Sequence, residues 1–112
     1  MVSPSFSAGL ALKATITQSP EHLVGKVGSE VIMNCEQRTT DHEWMYWYYH
    51  SRGQELRLVT RMLRGDKPNY ENGYQTGYEM NRTEKDKHST LRIMSLASKD
   101  QGLYFCASSD AR

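Results

Sequence analysis

The chain has 112 residues, enough for one domain of about the size of a small β-sandwich. Its 14 basic and 13 acidic side chains leave a formal charge of +1, which excludes the concentrated basic surface of a nucleic-acid protein. The 2 cysteines lack any Cys-x-x-Cys or His-rich spacing, so neither a zinc site nor another cofactor is implied. No apolar run approaches the ~20 residues that span a bilayer, so a membrane anchor is expected outside this chain.

Residues 1–13 carry Gly9-Leu10-Ala11, a small-x-small triplet of the kind a signal peptidase uses. They lack a basic start, and Ser3, Pro4, Ser5 and Ser7 interrupt any apolar core. A leader remnant or disordered segment is expected there, with the domain proper over 14–112. Residues 14–20 form a β-prone run closed by Pro20, suited to an edge strand, and Gly25 and Gly28 mark the turn after it. In residues 30–35, Val31, Met33 and Cys35 share one face by period-2 alternation.

A polar loop over 37–43 leads into a strand over 45–50. Met45 and Trp47 can face a core, which turns Tyr46, Tyr48 and His50 outward. Outward aromatics on a central strand suggest a buried partner surface, although tyrosine also favours strands for its own sake. A turn over 51–54 precedes a strand over 55–61 with Leu56 and Leu58 on one face. Gly65, Pro68 and Gly73 then give residues 61–72 loop or weak-edge composition. Strands follow over 78–82 and 91–93, separated by an exposed mixed-charge turn over 83–88. A bend over 96–102 opens the last strand, 103–108. With no helical period anywhere, these elements predict an all-β fold, a sandwich of two antiparallel sheets.

Cys35 and Cys106 lie 71 residues apart, with Trp47 soon after the first and Tyr104 two positions before the second. This pattern resembles the immunoglobulin framework, in which one bridge joins the two sheets, an indole packs on it, and the tyrosine hydroxyl bonds backbone just upstream. The resemblance implies a Cys35–Cys106 disulfide and hence an oxidising, secreted or cell-surface setting.

More specifically, residues 14–109 resemble the variable domain of a T-cell receptor β chain. Ile16-Thr-Gln-Ser-Pro20 is similar to the start of such domains and also of antibody κ chains. Met45-Tyr-Trp-Tyr48, Gly53-Gln54, Leu56-Arg-Leu58, Gly77-Tyr78 and above all Tyr104-Phe-Cys-Ala-Ser-Ser109 match β-chain framework. A κ chain would carry a Gly/Ser-rich repeat where this sequence has Asn81-Arg-Thr-Glu-Lys. The resemblance implies a V-type antigen-recognition module at the cell surface. It would pair with a receptor α chain, read peptide on major histocompatibility molecules, and assemble with signalling subunits through regions not in this chain. Another V-type receptor or an antibody light chain is the alternative.

The resemblance assigns antigen contact to Asp41, His42, Glu43 and Trp44 in a first loop over 39–44, to Arg61, Met62, Leu63 and Arg64 in a second over 60–66, and to Ser108, Ser109 and Asp110 in a third. A further hypervariable turn is expected over 84–88. Pairing with the α chain falls to Tyr48, His50, Leu56 and Phe105. Trp44 stands where tyrosine is usual, Thr60 and Arg61 where tyrosines are common, and His50 in place of a pairing glutamine. Arg57, Arg61, Arg64 and Lys67 make the second loop basic, either to meet acidic side chains or as a solvated surface. Asp100 stands where such domains place an acid bonded to an arginine. Gly77 occupies the usual arginine position, leaving Arg82 as a weak candidate partner. No Phe-Gly-x-Gly follows Cys106, so the last strand (G) is expected to be missing or truncated, which would leave the edge of the preceding strand unpaired.

Two further readings complete the sequence. Asn81-Arg82-Thr83 is an N-glycosylation sequon. The histidines at 22, 42, 50 and 88 are scattered, with no nucleophile–base–acid pattern, so catalysis is not expected.

Overall fold

A computed structural model describes residues 16–20 and 22–110. The expected leader segment, 1–13, lies outside the described residues. Among the described residues nine strands form: β1 (Ile16–Ser19), β2 (His22–Leu23), β3 (Val31–Gln37), β4 (Trp44–His50), β5 (Arg57–Leu63), β6 (Asn69–Tyr70), β7 (Tyr78–Thr83), β8 (His88–Ile93) and β9 (Gly102–Ser109). They make two antiparallel sheets, β1-β3-β8-β7 and β2-β9-β4-β5-β6, joined near the base by a 3-10 turn at Ser98–Asp100. The extra strands β5 and β6 beside β4 make this the V-type immunoglobulin sandwich.

Period-2 alternation sets the core. Met33 and Cys35 on β3, Met45 and Trp47 on β4, Leu91 and Ile93 on β8, and Tyr104 and Cys106 on β9 are all buried between the sheets. The Cys35–Cys106 bridge links β3 to β9, with a Cα–Cα distance of 6.3 Å. Trp47 is fully buried, and its indole N–H donates to Ser89 Oγ at 2.8 Å, so burying the large ring leaves no donor unpaired. The Tyr104 hydroxyl donates to the Asp100 carbonyl at 2.7 Å, the tyrosine-corner bond the sequence pattern called for.

Three expectations need correction. The strand expected over 55–61, with Leu56 and Leu58 on one face, starts later and runs further. β5 begins at Arg57, Leu56 is 52% exposed, and Leu58 is half-buried. The strand also carries a β-bulge: Trp47 pairs with Thr60 but Tyr48 pairs with Leu58, which leaves Val59 as the extra residue. The bulge shifts the alternation, so Val59, Thr60 and Met62 are the buried side chains of β5. Met62, assigned above to the second antigen-binding loop, therefore belongs to the core.

The edge of β9 is not bare along its length. The first strand breaks at Pro20, which cannot donate to a ladder, and the chain crosses to the other sheet. There β2 pairs His22 with Leu103 and Leu23 with Gly102. Beyond it, the Gln18 side-chain amide stands in for a strand, donating to Tyr104 O at 2.7 Å and accepting from Cys106 N–H at 2.9 Å.

The third correction concerns Asp100. Gly77 has φ 86°, a backbone state that strains any side chain, and Arg82 turns away to the opposite end of the sandwich. The Asp100 carboxylate instead accepts from the Tyr78 hydroxyl and from Ala97 N–H at 2.8 Å. Lys99 completes the group, with its ammonium 3.0 Å from the Tyr78 hydroxyl and 3.6 Å from Asp100 Oδ1. Burial, then the bond to Asp100, raises the Tyr78 pKa, and the bond to Tyr78 chiefly raises that of Lys99.

Candidate recognition surface

One end of the sandwich gathers the β3–β4 loop (38–43), the β5–β6 loop (64–68), the β7–β8 turn (84–87) and the end of β9. Polar turn residues between the strands leave the backbone irregular here, so side chains must supply the bonds a ladder would otherwise make. The buried Gln37 amide braces the first loop: its Oε1 accepts from His42 N–H at 2.8 Å and Thr40 Oγ1 at 2.9 Å, and its Nε2 donates to His42 O at 3.1 Å. His42 then reaches the end of β9, with Nδ1 2.9 Å from Ser108 Oγ and Nε2 3.9 Å from Asp110 Oδ1.

Arg64 ties the second loop to the first. Its guanidinium donates to the Asp41 carboxylate, to Asp41 O at 2.8 Å and to Lys85 O at 3.3 Å, while its N–H donates to Glu43 O at 2.8 Å. The Arg64 bond holds the Asp41 carboxyl below its usual range and raises the Arg64 pKa. The basic character expected of the second loop is thus partly used inside the site, since Arg64 is engaged with its neighbours. Arg61 is exposed on β5 and lies 5.1 Å from the Trp44 ring centroid, a cation–π contact. Of the residues assigned to antigen contact, Asp41, His42, Glu43, Trp44, Arg61, Leu63, Arg64, Ser108, Ser109 and Asp110 are partly or fully exposed, and Met62 is not.

The structure adds Arg82, which no pattern in the sequence points to at this end. Strand alternation on β7 turns Asn81 and Thr83 outward and buries Arg82. Its guanidinium donates only to backbone carbonyls: Glu43 O at 2.6 Å, Met62 O at 2.9 Å, His42 O at 3.1 Å and Asp86 O, the last also reached by Nε at 2.9 Å. Burial lowers its pKa below the ordinary guanidinium value. Acceptors of this kind leave no side-chain signal in a sequence.

The outer face of the five-stranded sheet carries a second feature. Trp44, Tyr46 and Tyr48 stack along β4 with ring centroids 6.2 and 6.1 Å apart, and the Tyr46 hydroxyl is 2.7 Å from Ser109 Oγ. Phe105 lies beside Tyr48 in register, and His50 beside Leu103. All of these side chains are partly exposed, and burial pushes the Tyr48 hydroxyl pKa up.

The base holds a cleft of about 580 Å³ lined by Tyr49, Tyr74, Tyr104, Lys99 and Asp100 among others. A Cβ on Gly102 would lie 2.9 Å from the Tyr49 ring, so glycine there lets Tyr49 reach under the bend, where its hydroxyl is 2.8 Å from Lys99 O and from Gln101 O. Among the described residues no buried side-chain nitrogen or oxygen lacks a partner, and no three His, Cys, Asp or Glu side chains cluster to hold a metal. No helix of the described residues is long and apolar enough to cross a membrane.

Comparison with known proteins agrees with this geometry. The family described as Immunoglobulin V-set domain matches residues 18–112. Human T cell receptor beta variable 10-3 is 36% identical over 99 residues, covering 88% of this chain and 84% of that protein. Mouse T-cell receptor beta chain V region C5 is also 36% identical over 99 residues, covering 88% of this chain and 78% of that one. A solved structure titled "Structural basis of T cell specificity and activation by the bacterial superantigen toxic shock syndrome toxin-1" aligns with a TM-score of 0.80 at 27% identity, over 88% of this chain and 84% of the other. The chain belongs to the immunoglobulin V-set family, among its T-cell receptor β variable domains. This family is not one of enzymes.

Proposed function

We propose that this domain is the antigen-recognition unit of a T-cell receptor β chain, working at the cell surface, and that it pairs with an α chain to bind peptide on major histocompatibility molecules. The observation that carries the pairing is the aromatic outer face of the five-stranded sheet. Tyr48, His50, Phe105 and the exposed Leu56 supply apolar and amphipathic area of the composition buried at protein interfaces. Recognition falls to the three gathered loops and the end of β9, beside which Trp44 on β4, with Arg61 of β5 stacked on it, offers a rigid anchor with a cationic rim. His50 can serve a pairing role in place of glutamine, since imidazole offers one donor and one acceptor.

The test is co-expression of the full chain with a panel of receptor α chains. Phe105→Asp or Leu56→Asp is expected to abolish co-purification while circular dichroism still reports a folded sandwich. Undiminished pairing by both variants would remove this surface from the interface, and selective capture by antibody heavy-chain domains would favour the light-chain alternative.

We also propose that Asn81 carries a glycan. It is exposed on β7, its Oδ1 accepts from Arg82 N–H at 3.0 Å, and Thr83 is exposed two positions on. Secretion from a glycosylating cell should add mass that a glycosidase removes and that Thr83→Ala prevents. Identical masses for both proteins would show the sequon to be empty.

A further inference from the structure

Two observations at the loop end converge on one residue. The first is the β7–β8 turn, where Glu84, Lys85 and Asp86 take φ of 56°, 59° and 66°. Three consecutive non-glycine residues in the left-handed region crowd each Cβ against the backbone. Such strain persists only where the surroundings over-determine it, and it gathers at binding surfaces. Two guanidinium groups hold this turn: Arg82 on Asp86 O and Arg64 on Lys85 O.

The second is the choice of a charge for Arg82. A buried cation is costly unless all its donors are satisfied, and an apolar side chain of similar length would fill the space without that cost. What methionine could not do is bond the carbonyls of His42, Glu43, Met62 and Asp86 at once. Those carbonyls belong to the first loop, the end of β5 and the strained turn. Their geometry is therefore set together, from beneath, by a buried side chain.

We propose that Arg82 is a positioning residue for recognition: it fuses the first loop, the end of β5 and the β7–β8 turn into one preformed surface and holds the left-handed turn in it. The proposal rests on the reading that these loops face the ligand.

The test uses amide hydrogen exchange on the full chain with its disulfide intact, for the natural protein, Arg82→Met and Arg82→Lys. Both substitutions preserve the Asn81-x-Thr83 sequon. The reporters are His42 N–H, bonded to Gln37 Oε1, Arg64 N–H, bonded to Glu43 O, and Lys87 N–H, bonded to Glu84 O. In Arg82→Met all three should exchange roughly tenfold or more faster, relative to amides of the β3–β8 ladder. Lysine keeps the charge without the planar fork, so it should give an intermediate loss at the same three sites. Acceleration at Lys87 alone would reduce Arg82 to a cap of its own turn, and equal acceleration of reporters and ladder would make it a general stabiliser; either result overturns the proposal. Should the methionine variant not fold, the lysine variant decides between the same outcomes. No ligand or α chain is present, so this result is independent of the pairing test, and the failure of one reading can be told from the failure of the other.

Discussion

At the loop end of the sandwich the buried charge is Arg82, which donates to carbonyls of three separate segments. At the base it is Asp100, which accepts from the Tyr78 hydroxyl and Ala97 N–H, with the Lys99 ammonium 3.6 Å away. The cation serves backbone and the anion is served largely by side chains. That difference bears on what each end can tolerate. Every residue but proline offers the same carbonyl and N–H, so the loops around Arg82 can change their side chains without losing their anchor. The base has no such freedom, because Tyr78 and Lys99 must keep their identities for Asp100 to keep its partners.

The largest effect expected from this contrast is at the base. Asp100→Ala removes the acceptor for Tyr78 and Ala97 and loosens the bend that presents Asp100 O to the Tyr104 hydroxyl. A loss of about 3 kcal/mol is expected, as for breaking a buried, hydrogen-bonded charge group. Urea denaturation should show a lower midpoint at unchanged slope. A loss below about 1 kcal/mol, the worth of one ordinary hydrogen bond, would mean that Tyr78 and Lys99 satisfy each other and that the carboxylate is dispensable.

The same contrast explains what could be read from the sequence. Cys35, Trp47, Tyr104 and Cys106 were legible because strand alternation and wide spacing are both written in side chains, and the tyrosine corner follows from position alone. Met62 was assigned to a loop over 60–66 by the resemblance, whereas β5 runs on to Leu63 and, past the bulge at Val59, its alternation turns Met62 inward. β2 is two residues long and pairs through backbone, too short for any periodicity. With glycine at the usual arginine position, Arg82 was only a weak candidate partner for Asp100. Carbonyl partners for the one and a tyrosine for the other leave no trace in a charge pattern. The sequence exposed the parts of the site built from side-chain identity and hid those built from backbone.

The smallest predicted effect probes the Asp41–Arg64 ion pair, which joins the first loop to the second. Asp41 is exposed, and its carboxyl is held below its ordinary value of 3.8 mainly by the hydrogen bond from Arg64. A carboxyl with a depressed folded pKa contributes stability that is fully present above the unfolded value. It is lost as pH falls through the folded one. Asp41→Asn should therefore lower the melting temperature slightly at neutral pH, and the gap to the natural protein should close as acid protonates Asp41, in a scan from about pH 7 to about pH 2. Added salt should narrow the gap at neutral pH too, because an exposed pair is screened. The loop reporters should change little, since Arg64 keeps its bonds to the carbonyls of Asp41 and Lys85. If the reporters instead accelerate in Asp41→Asn as they do in Arg82→Met, side-chain identity matters at the loop end as much as at the base. The distinction between a backbone-anchored end and a side-chain-anchored end then fails.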